Sequence, residues 1–377
     1  MKRLDFIKTN LAAWGGALLA GGLPAMAAPA SAKVASRSTP RQAAIKLGMR
    51  VSPGLSDQHL ELMRQLELGW CRLDVHERDF SYEDLARTQE RYTKHGLRIF
   101  SVYNNTHKSP SLLLGGPERE AHLEVLARGI KDLGRLGIPV CDTAWLGLLP
   151  GSQVFDTSYA DLSGIRTRIF DTAEYAKIDT IAGRRWSAEE VRDALKYCLD
   201  RIMPVAEASG VRVAIHPDDP PIPEQGGVAR ILHSFEHFRQ LFDLCRSPNL
   251  GVNFCVGTWI EPGEATGKPV NDMIRWLAAN GRLIDVHFRN IRGLLPRFQE
   301  TFIDNGDCDL QEVMNTLVEV GFDGLLVPDH VPVFTIDQTP PPPPGTTYRT
   351  PFPPAGVAYS AAGMRTMLRN ACRHVET

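Results

Sequence analysis

Residues 213–221 read V-A-I-H-P-D-D-P-P, a stretch that begins like a buried strand and then breaks that pattern. Three apolar residues lead into His216, and two aspartates follow it between prolines. The prolines disfavour a helix here, because proline lacks a backbone N–H and pushes the residue before it towards extended conformations. The stretch therefore predicts a strand whose carboxyl end presents His216, a side chain that binds metals and protons.

From residue 45 onwards the chain alternates eight short apolar runs with longer stretches whose apolar residues recur three and four positions apart. The runs have the length of strands, and the longer stretches have the period of amphipathic helices. Eight strand–helix units fit one architecture best, a single (β/α)8 TIM barrel of the α/β class over residues 43–377. A doubly wound open sheet is the alternative, but no G-x-G-x-x-G follows the first strand. The helices are clearest over residues 118–136, 188–210, 228–245, 270–280, 309–320 and 360–374.

The four predicted strands five to eight each end at a side chain that can bind a metal. These side chains are His216, Cys255, His287 and Asp329. The carboxyl ends of barrel strands share one rim, where the active sites of such barrels lie. A single histidine at a strand end is usually structural, but four such groups on successive strands are hard to explain as coincidence. A mixed set of nitrogen, sulfur and oxygen ligands suits a divalent transition metal.

Charge and cysteine content exclude some classes of protein. The chain has 42 basic and 44 acidic residues and a formal net charge of −2, so a nucleic-acid partner is not expected. Seven cysteines are widely scattered without a C-x-x-C pair, which does not indicate a disulfide framework.

The first thirty residues have the pattern of an export signal. Basic residues precede a short apolar run, and the small-residue triplets 25–27 and 28–30 resemble cleavage sites. The start, R-L-D-F-I-K, resembles a degenerate twin-arginine signal with Leu4 in place of the second arginine. We expect residues 1–30 to be a signal peptide, residues 31–42 a linker, and the mature protein to be periplasmic without a membrane span. An uncleaved membrane anchor is the alternative.

A proline-rich loop is predicted over residues 331–357. It is too long for an ordinary turn, and its prolines favour an extended, fairly stiff conformation on the rim that carries the strand ends. A surface spacer and a substrate lid remain equally open interpretations.

The chain resembles the mannonate dehydratase family over about residues 110–375, and H-P-D-D-P-P at 216–221 is the most specific marker. The similarity continues at Cys255, H-F-R-N at 287–290, N-G-D-C-D at 305–309, P-D-H at 328–330 and A-Y-S at 358–360. The resemblance implies a xylose isomerase-like barrel and a hydro-lyase. This enzyme would convert D-mannonate to 2-keto-3-deoxy-D-gluconate and water by β-elimination.

The resemblance also implies roles for individual residues. The metal would be Mn²⁺, with Fe²⁺ as the other candidate. Its expected ligands are His216, Cys255, His287 and Asp329. His330 and Tyr359 would transfer protons, with the assignment of acid and base open. Arg289, Asn290 and Trp259 are predicted to bind substrate, although Arg289 fits a rim salt bridge equally well. Asp218 and Asp219 are expected to hold the loop after the strand rather than the metal.

Some features depart from the family pattern. Val327 stands where the family usually has an arginine before P-D-H, and the proline-rich loop and the export signal are additions. A neutral or keto-sugar would need no arginine for a carboxylate. The alternative function is therefore a metal-dependent sugar isomerase, epimerase or eliminase, which Trp145 and Trp259 on the rim would favour by stacking on sugar rings. A non-catalytic sugar-binding barrel is a second alternative. The expected partner is thus a small sugar acid or sugar, and a homo-oligomer remains open.

Overall fold

The computed structural model describes residues 44–76, 80–104, 109–145, 160–162, 164–175, 180, 183–338 and 352–374. The predicted signal peptide and linker lie outside the described residues. So does the central part of the proline-rich loop, residues 339–351.

Eight parallel strands close into a barrel in chain order, which confirms the predicted (β/α)8 fold. The barrel strands, β1–β8, are Lys46–Val51, Trp70–Val75, Arg98–Asn104, Val140–Ala144, Arg212–His216, Leu250–Cys255, Leu283–Phe288 and Leu325–Pro328. Strand β8 pairs with β1 through Lys46 opposite Leu325 and Leu47 opposite Leu326, and this pairing closes the ring.

Alternation of side chains along each strand separates two environments. In β2, Cys71, Leu73 and Val75 are fully buried in the apolar layer between barrel and helices. Arg72 and Asp74 occupy the alternate positions and are linked by a 3.0 Å ion pair. Since successive side chains of a strand point to opposite faces, the two charged groups face the barrel interior.

Helices surround the barrel and bury their apolar faces against it. The α-helices, α1–α11, are Asp57–Gln65, Tyr82–Lys94, Pro110–Leu114, Arg119–Arg135, Thr172–Tyr175, Ala188–Ala208, Phe235–Leu244, Val256–Ile260, Val270–Ala279, Leu310–Glu319 and Pro354–His374. Two 3₁₀ turns cover Gly263–Thr266 and Thr335–Gln338. Within the described ranges, none of these helices combines the length and hydrophobicity needed to cross a bilayer.

Two helices begin at other residues than the sequence predicts. Helix α7 begins at Phe235 rather than near 228, because Ser234 caps it by accepting a hydrogen bond from the backbone N–H of His237. Residues 224–225 and 228–229 form a short hairpin instead. Helix α11 begins at Pro354 rather than 360, because a proline is tolerated in the first turn of a helix.

A small antiparallel sheet lies on the carboxyl-terminal rim of the barrel. It joins Asn290–Leu294, Arg297–Thr301 and Ile169–Asp171 and is called the rim sheet below. Phe170 stacks on Phe298 at 5.3 Å, and the backbone N–H of Glu300 donates to the carbonyl of Arg168. A further hairpin pairs Ala160–Leu162 with Ile165–Thr167. The sequence did not predict these strands, and the pairing of Ile169–Asp171 with Arg297–Thr301 joins segments more than 120 residues apart.

The barrel interior is apolar at the amino-terminal ends of the strands and polar above that level. The apolar part is formed by Phe100, Val140, Ala214, Ile284, Leu325 and Val327. The polar layer contains Arg72, Ser101, Asp142, Asn253 and Asp285, all buried. Charged groups therefore support the rim from beneath, inside the barrel.

Close packing at Gly324, just before β8, yields a test of this arrangement. A Cβ atom at Gly324 would lie 2.0 Å from the backbone oxygen of Ile284, which cannot move without disturbing β7. Gly324→Ala should therefore destabilise the fold by about 1–3 kcal/mol, the usual cost of overpacking. The thermal unfolding midpoint of the variant should fall by several degrees.

Gly69 supplies the matched control, because it also precedes a barrel strand but has open space around its Cβ position. Gly69→Ala should leave the midpoint within about a degree or two, as surface substitutions generally do. Equal midpoints for the two variants would contradict the packing described before β8.

Candidate metal centre and active site

Three of the four predicted metal ligands meet at the rim. His216, Cys255 and His287 are buried, and one ligand atom from each lies within 4.8 Å of the other two. Cys255 and His287 are opposite one another in the register of β6 and β7, which explains their proximity. These three strand ends therefore converge as the sequence predicts, and their role as metal ligands stays a prediction.

His216 is oriented by the backbone of the next residue. Its Nδ1 lies 2.7 Å from the carbonyl oxygen of Pro217. A carbonyl can only accept a hydrogen bond, so the proton of the neutral ring lies on Nδ1 and the lone pair on Nε2. Burial lowers the pKa of His216, which favours this neutral ring. His216 is thus prepared to bind a cation through Nε2.

In His287 it is Nδ1, not Nε2, that is left without a hydrogen-bond partner. Its Nε2 contacts Arg72 Nη1 at 2.5 Å and Asn253 Nδ2 at 3.0 Å, whereas its buried Nδ1 has no hydrogen-bond partner. Burial lowers the pKa of His287 well below the usual value. Because both contacts at Nε2 are donors, the proton of the metal-free ring lies on Nδ1. Metal binding through Nδ1 therefore requires that this proton be lost or transferred.

Cys255 completes the cluster with a fully buried sulfur. Burial raises the pKa of its thiol to about 11. A thiol binds metal as the thiolate, so a bound cation would have to displace this proton too. Two nitrogens and one sulfur suit a divalent transition metal. The unpartnered Nδ1 of His287 is a specific observation that a cation would explain.

Asp329 lies beside the cluster rather than within it. Its Oδ2 is 3.7 Å from His287 Nδ1, while Arg50 Nη1 holds its Oδ1 at 2.8 Å. Burial would raise the pKa of Asp329, but His330, His287 and the nearby arginines lower it well below its usual value. Asp329 is thus an ionised carboxylate beside the cluster, and its role as the fourth ligand stays a prediction.

Arg289 is the hub of the acidic groups around the cluster. Its guanidinium lies 3.1 Å from Asp219, 2.7 Å from Glu261, 3.5 Å from Glu300 and 3.4 Å from Asp329. Gly257 makes room for it, since a Cβ atom there would lie 2.4 Å from Arg289 Nη1. These contacts favour the salt-bridge interpretation of Arg289 over a role as a substrate clamp.

Asp218 and Asp219 hold the loop after β5, as expected. Asp218 pairs with Arg230 at 3.1 Å and accepts a 2.7 Å hydrogen bond from the backbone N–H of Leu232. Asp219 accepts from Arg289. Both carboxylates therefore act on the protein around the cluster.

Two of the predicted substrate-binding residues have side chains that are buried in the protein. The amide of Asn290 donates to the carbonyls of Ile303 and Cys308, so it fastens the loop that follows the rim sheet. Trp259 is only 2% exposed and stacks on Phe254 at 5.6 Å in the core, not on the rim as expected. A stacking contact with a sugar would require its ring to leave the core. Trp145 is also buried.

His330 lies next to Asp329 and is held by the rim sheet. Its Nδ1 is 2.6 Å from Glu300 Oε1, and its Nε2 is 3.5 Å from Asp329 Oδ2. The backbone of His330 adopts a φ of 49°, a left-handed conformation that is uncommon outside glycine and often marks functional sites. The predicted catalytic histidine thus adjoins Asp329, one of the predicted metal ligands.

Tyr359 lies on α11, and no contact between its side chain and His330 or the cluster occurs in the described part of the chain. Its hydroxyl donates to Asp304 at 2.7 Å, and its ring contacts Phe302 at 4.8 Å. The side chain is 38% exposed. Burial and Asp304 raise the pKa of Tyr359 to about 12. Its role in proton transfer stays a prediction.

Val327 does not face the rim. It is 1% exposed and belongs to the apolar cluster inside the barrel, opposite His287 in register. Arg72 brings its guanidinium to His287 from β2 instead. The interior next to His287 therefore does contain an arginine, supplied by another strand.

Several site residues were missed from the sequence. Arg50, Arg72, Arg168, Glu261 and Glu300 all contact a predicted site residue or Arg289. The alternation R-L-D in β2 was a usable signal, because charged residues between outward-facing apolar ones must face the barrel interior. Glu300 and Arg168 had no comparable signal, since antiparallel pairing of distant segments brings them together.

Cys255→Ser should weaken metal binding without unfolding the barrel. Replacing the sulfur by a hydroxyl removes a group that would bind the metal directly. Losing a residue that only hydrogen-bonds to a metal ligand typically lowers metal affinity about 10- to 100-fold. The affinity of Cys255→Ser for Mn²⁺ should therefore fall at least about 100-fold. Elemental analysis of protein dialysed against limiting Mn²⁺ measures the loss. Cys141→Ser is the matched control, because Cys141 is a buried cysteine of β4 that packs outside the barrel. Equal metal contents in both variants would contradict the assignment of Cys255 as a metal ligand.

The chain matches proteins of one family in sequence. The family model described as D-mannonate dehydratase (UxuA) matches residues 171–351. A mannonate dehydratase of Streptococcus equi subsp. zooepidemicus is 30% identical over 68% of this chain and 75% of the relative. Mannonate dehydratase 2 of Halalkalibacterium halodurans is 28% identical over 66% of this chain and 78% of the relative.

Solved structures agree on the fold. The crystal structure of mannonate dehydratase from Streptococcus suis serotype 2 superimposes with a TM-score of 0.75 at 23% identity, covering 88% of this chain and 95% of that one. A xylose isomerase domain protein of Planctomyces limnophilus gives 0.55 at 15% identity, covering 88% and 98%. The identity and coverage of the streptococcal relative, together with the convergence of the predicted ligands, show that the chain belongs to the mannonate dehydratase family.

Proposed function

We propose that the protein is a hydro-lyase that uses a divalent metal, in the first place Mn²⁺, to convert D-mannonate to 2-keto-3-deoxy-D-gluconate and water. The observation that carries this proposal is the convergence of His216, Cys255 and His287 beside His330 in a member of the mannonate dehydratase family. Fe²⁺ is the second candidate metal.

The reaction needs a base next to the carbon that bears the carboxylate. The C2–H bond breaks, its electron pair forms the C2–C3 double bond, and the C3–O bond breaks as hydroxide leaves and takes up a proton. The resulting enol becomes the ketone. A bound divalent metal would supply Lewis-acid stabilisation of negative charge on the carboxylate and the neighbouring oxygen.

The protein's own residues orient and move protons around that centre. His216, Cys255, His287 and Asp329 would hold the metal. His330 lies beside the cluster and is positioned to exchange a proton with the substrate. Tyr359 is proposed to take part in the second proton transfer. In the present arrangement it is bonded to Asp304, so it would have to leave that carboxylate.

The two alternative functions receive less support. A neutral-sugar isomerase or epimerase was suggested by tryptophans on the rim, but Trp259 is buried in the core. A non-catalytic barrel has no physical need for buried ligands with an unpartnered Nδ1. The buried Val327 does not exclude a sugar acid, because arginines on other strands surround the site.

The Mn²⁺-loaded protein should convert D-mannonate to a product whose new C3 methylene protons are visible by proton NMR. His330→Asn should lower kcat by about 10²- to 10⁴-fold, the usual contribution of general acid–base catalysis. His95→Asn is the control, since His95 follows α2 at the other end of the barrel. Bound metal without turnover of mannonate would reject the proposed substrate and direct the search to neutral and keto-sugars.

We also propose export to the periplasm, based on the pattern of residues 1–30. In a bacterial host with an outer membrane, the native chain should be found in the periplasm, shortened to begin after Ala27 or Ala30. Leu18→Arg with Leu19→Arg should keep it in the cytoplasm at full mass, because each arginine in an apolar segment costs about 2.5–3.5 kcal/mol on insertion scales. Lys33→Arg in the linker is the control. A periplasmic product from the double variant would contradict the signal.

A further inference from the structure

The rim sheet places two charged residues on the ring of His330. Glu300 is 2% exposed, and its Oε1 lies 2.6 Å from His330 Nδ1. Arg168 Nη1 lies against the same ring, 3.0 Å from Nε2 and 3.3 Å from Nδ1. The backbone hydrogen bond from Glu300 to Arg168 fixes the two residues relative to one another. The sheet therefore holds His330 between an acceptor and a donor.

The contact with Glu300 determines where the ring carries its proton. An ionised carboxylate only accepts hydrogen bonds, so Nδ1 donates to Glu300. A neutral ring carries one proton, so the lone pair is then on Nε2. Arg168 Nη1 is almost equally far from both ring nitrogens, so it packs against the ring and does not select between them.

Nε2 is on the side of Asp329, which lies beside the cluster. It is 3.5 Å from Oδ2, which is too long for a good hydrogen bond. Asp329 is occupied by other groups, namely Arg50 at 2.8 Å and Arg289 at 3.4 Å. Asp329 is therefore not the group that fixes the His330 ring.

We propose that Glu300 is a positioning residue that fixes the Nδ1–H tautomer of His330, so that Nε2 is the base that removes the C2 proton of the substrate. The role of Nε2 rests on the proposed dehydration, whereas the tautomer does not. In the step, the C2–H bond breaks, a bond from Nε2 to that proton forms, and the electron pair stays on the substrate.

The neighbours of Glu300 explain why a carboxylate is needed there. Arg289 Nη1 lies 3.5 Å from Oε1, and Arg168 Nε lies 3.9 Å from Oε2. In Glu300→Gln the negative charge is lost, and the amide can turn either its oxygen or its N–H₂ group towards Nδ1. The ring would then no longer be held with its proton on Nδ1, and part of it would carry the proton on Nε2, the wrong nitrogen for a base.

Kinetics of the Mn²⁺-loaded enzyme provide the first test. Glu300→Gln should lower kcat about 100-fold or more with KM within about 3-fold, as expected for a lost base. Glu300→Asp retains a carboxylate acceptor, so its kcat should be at least about 10-fold higher than that of Glu300→Gln. In a His330→Asn background, Glu300→Gln should have no further effect. Glu264→Gln is the matched control, an exposed glutamate in the turn Gly263–Thr266.

The second test measures the tautomer directly and does not depend on turnover. Two-bond proton–nitrogen spectra of the zinc-loaded protein with labelled histidines report which ring nitrogen carries the proton, and Zn²⁺ is a closed-shell ion that permits them. The His330 signals are assigned by their absence in His330→Asn. Wild type and Glu300→Asp should show a protonated Nδ1, whereas in Glu300→Gln part of the ring should be protonated on Nε2 instead.

The outcomes separate this proposal from the proposed function. A protonated Nε2 in the wild type, or unchanged spectra in Glu300→Gln, would overturn the positioning role even if mannonate is dehydrated. A kinetic loss that is equal in the His330→Asn background would overturn it as well, because it would reveal a purely structural effect. A protonated Nδ1 in a protein that does not turn over mannonate would retain the tautomer but reject Nε2 as the base of this reaction.

Discussion

The mouth of the barrel buries more acidic than basic groups, and Arg289 is the charge on which that arrangement depends. It contacts Asp219, Glu261, Glu300 and Asp329 from a position that is 2% exposed. Removing one partner of a buried ion pair typically costs about 3–5 kcal/mol, because the remaining charge is left uncompensated. Arg50 also pairs with Asp329, and Arg168 lies 3.9 Å from Glu300, so Asp219 and Glu261 are the carboxylates that depend most on Arg289. Burial and Asp219 raise the pKa of Glu261 well above its usual value. A divalent cation at the cluster would add positive charge to these acidic surroundings.

The same electrostatic logic extends into the barrel interior. Arg72 lies 3.2 Å from Asp142 and contacts His287, while Asn253 bridges Asp142 and His287. Both groups donate to Nε2 of His287, so they fix the orientation of its ring from below. The apolar cluster at the base of the barrel shields them from water on that side. The interior is therefore a support for the metal ligands as well as a core.

Much of this site could be predicted from the sequence, for a geometric reason. In a closed parallel barrel, the carboxyl ends of all strands lie on one rim. Identifying the strands of residues 212–216, 250–255, 283–288 and 325–328 therefore predicts that the side chains at or next to their ends lie near one another. The helix starts were harder, because the cap at Ser234 and the proline at 354 compete with the period of apolar residues. The position of Trp259 was also missed, because an aromatic side chain near a strand end can turn into the core or towards solvent.

The sequence alone determined the barrel, the family and the convergence of His216, Cys255 and His287, since all three follow from local patterns of strand, turn and polar residue. Only the tertiary structure decided which groups surround them. Glu300 and Arg168 reach His330 because segments about 130 residues apart pair in the rim sheet, and Arg72 reaches His287 across the barrel. Such contacts depend on the register and packing of distant segments, and no local pattern encodes them.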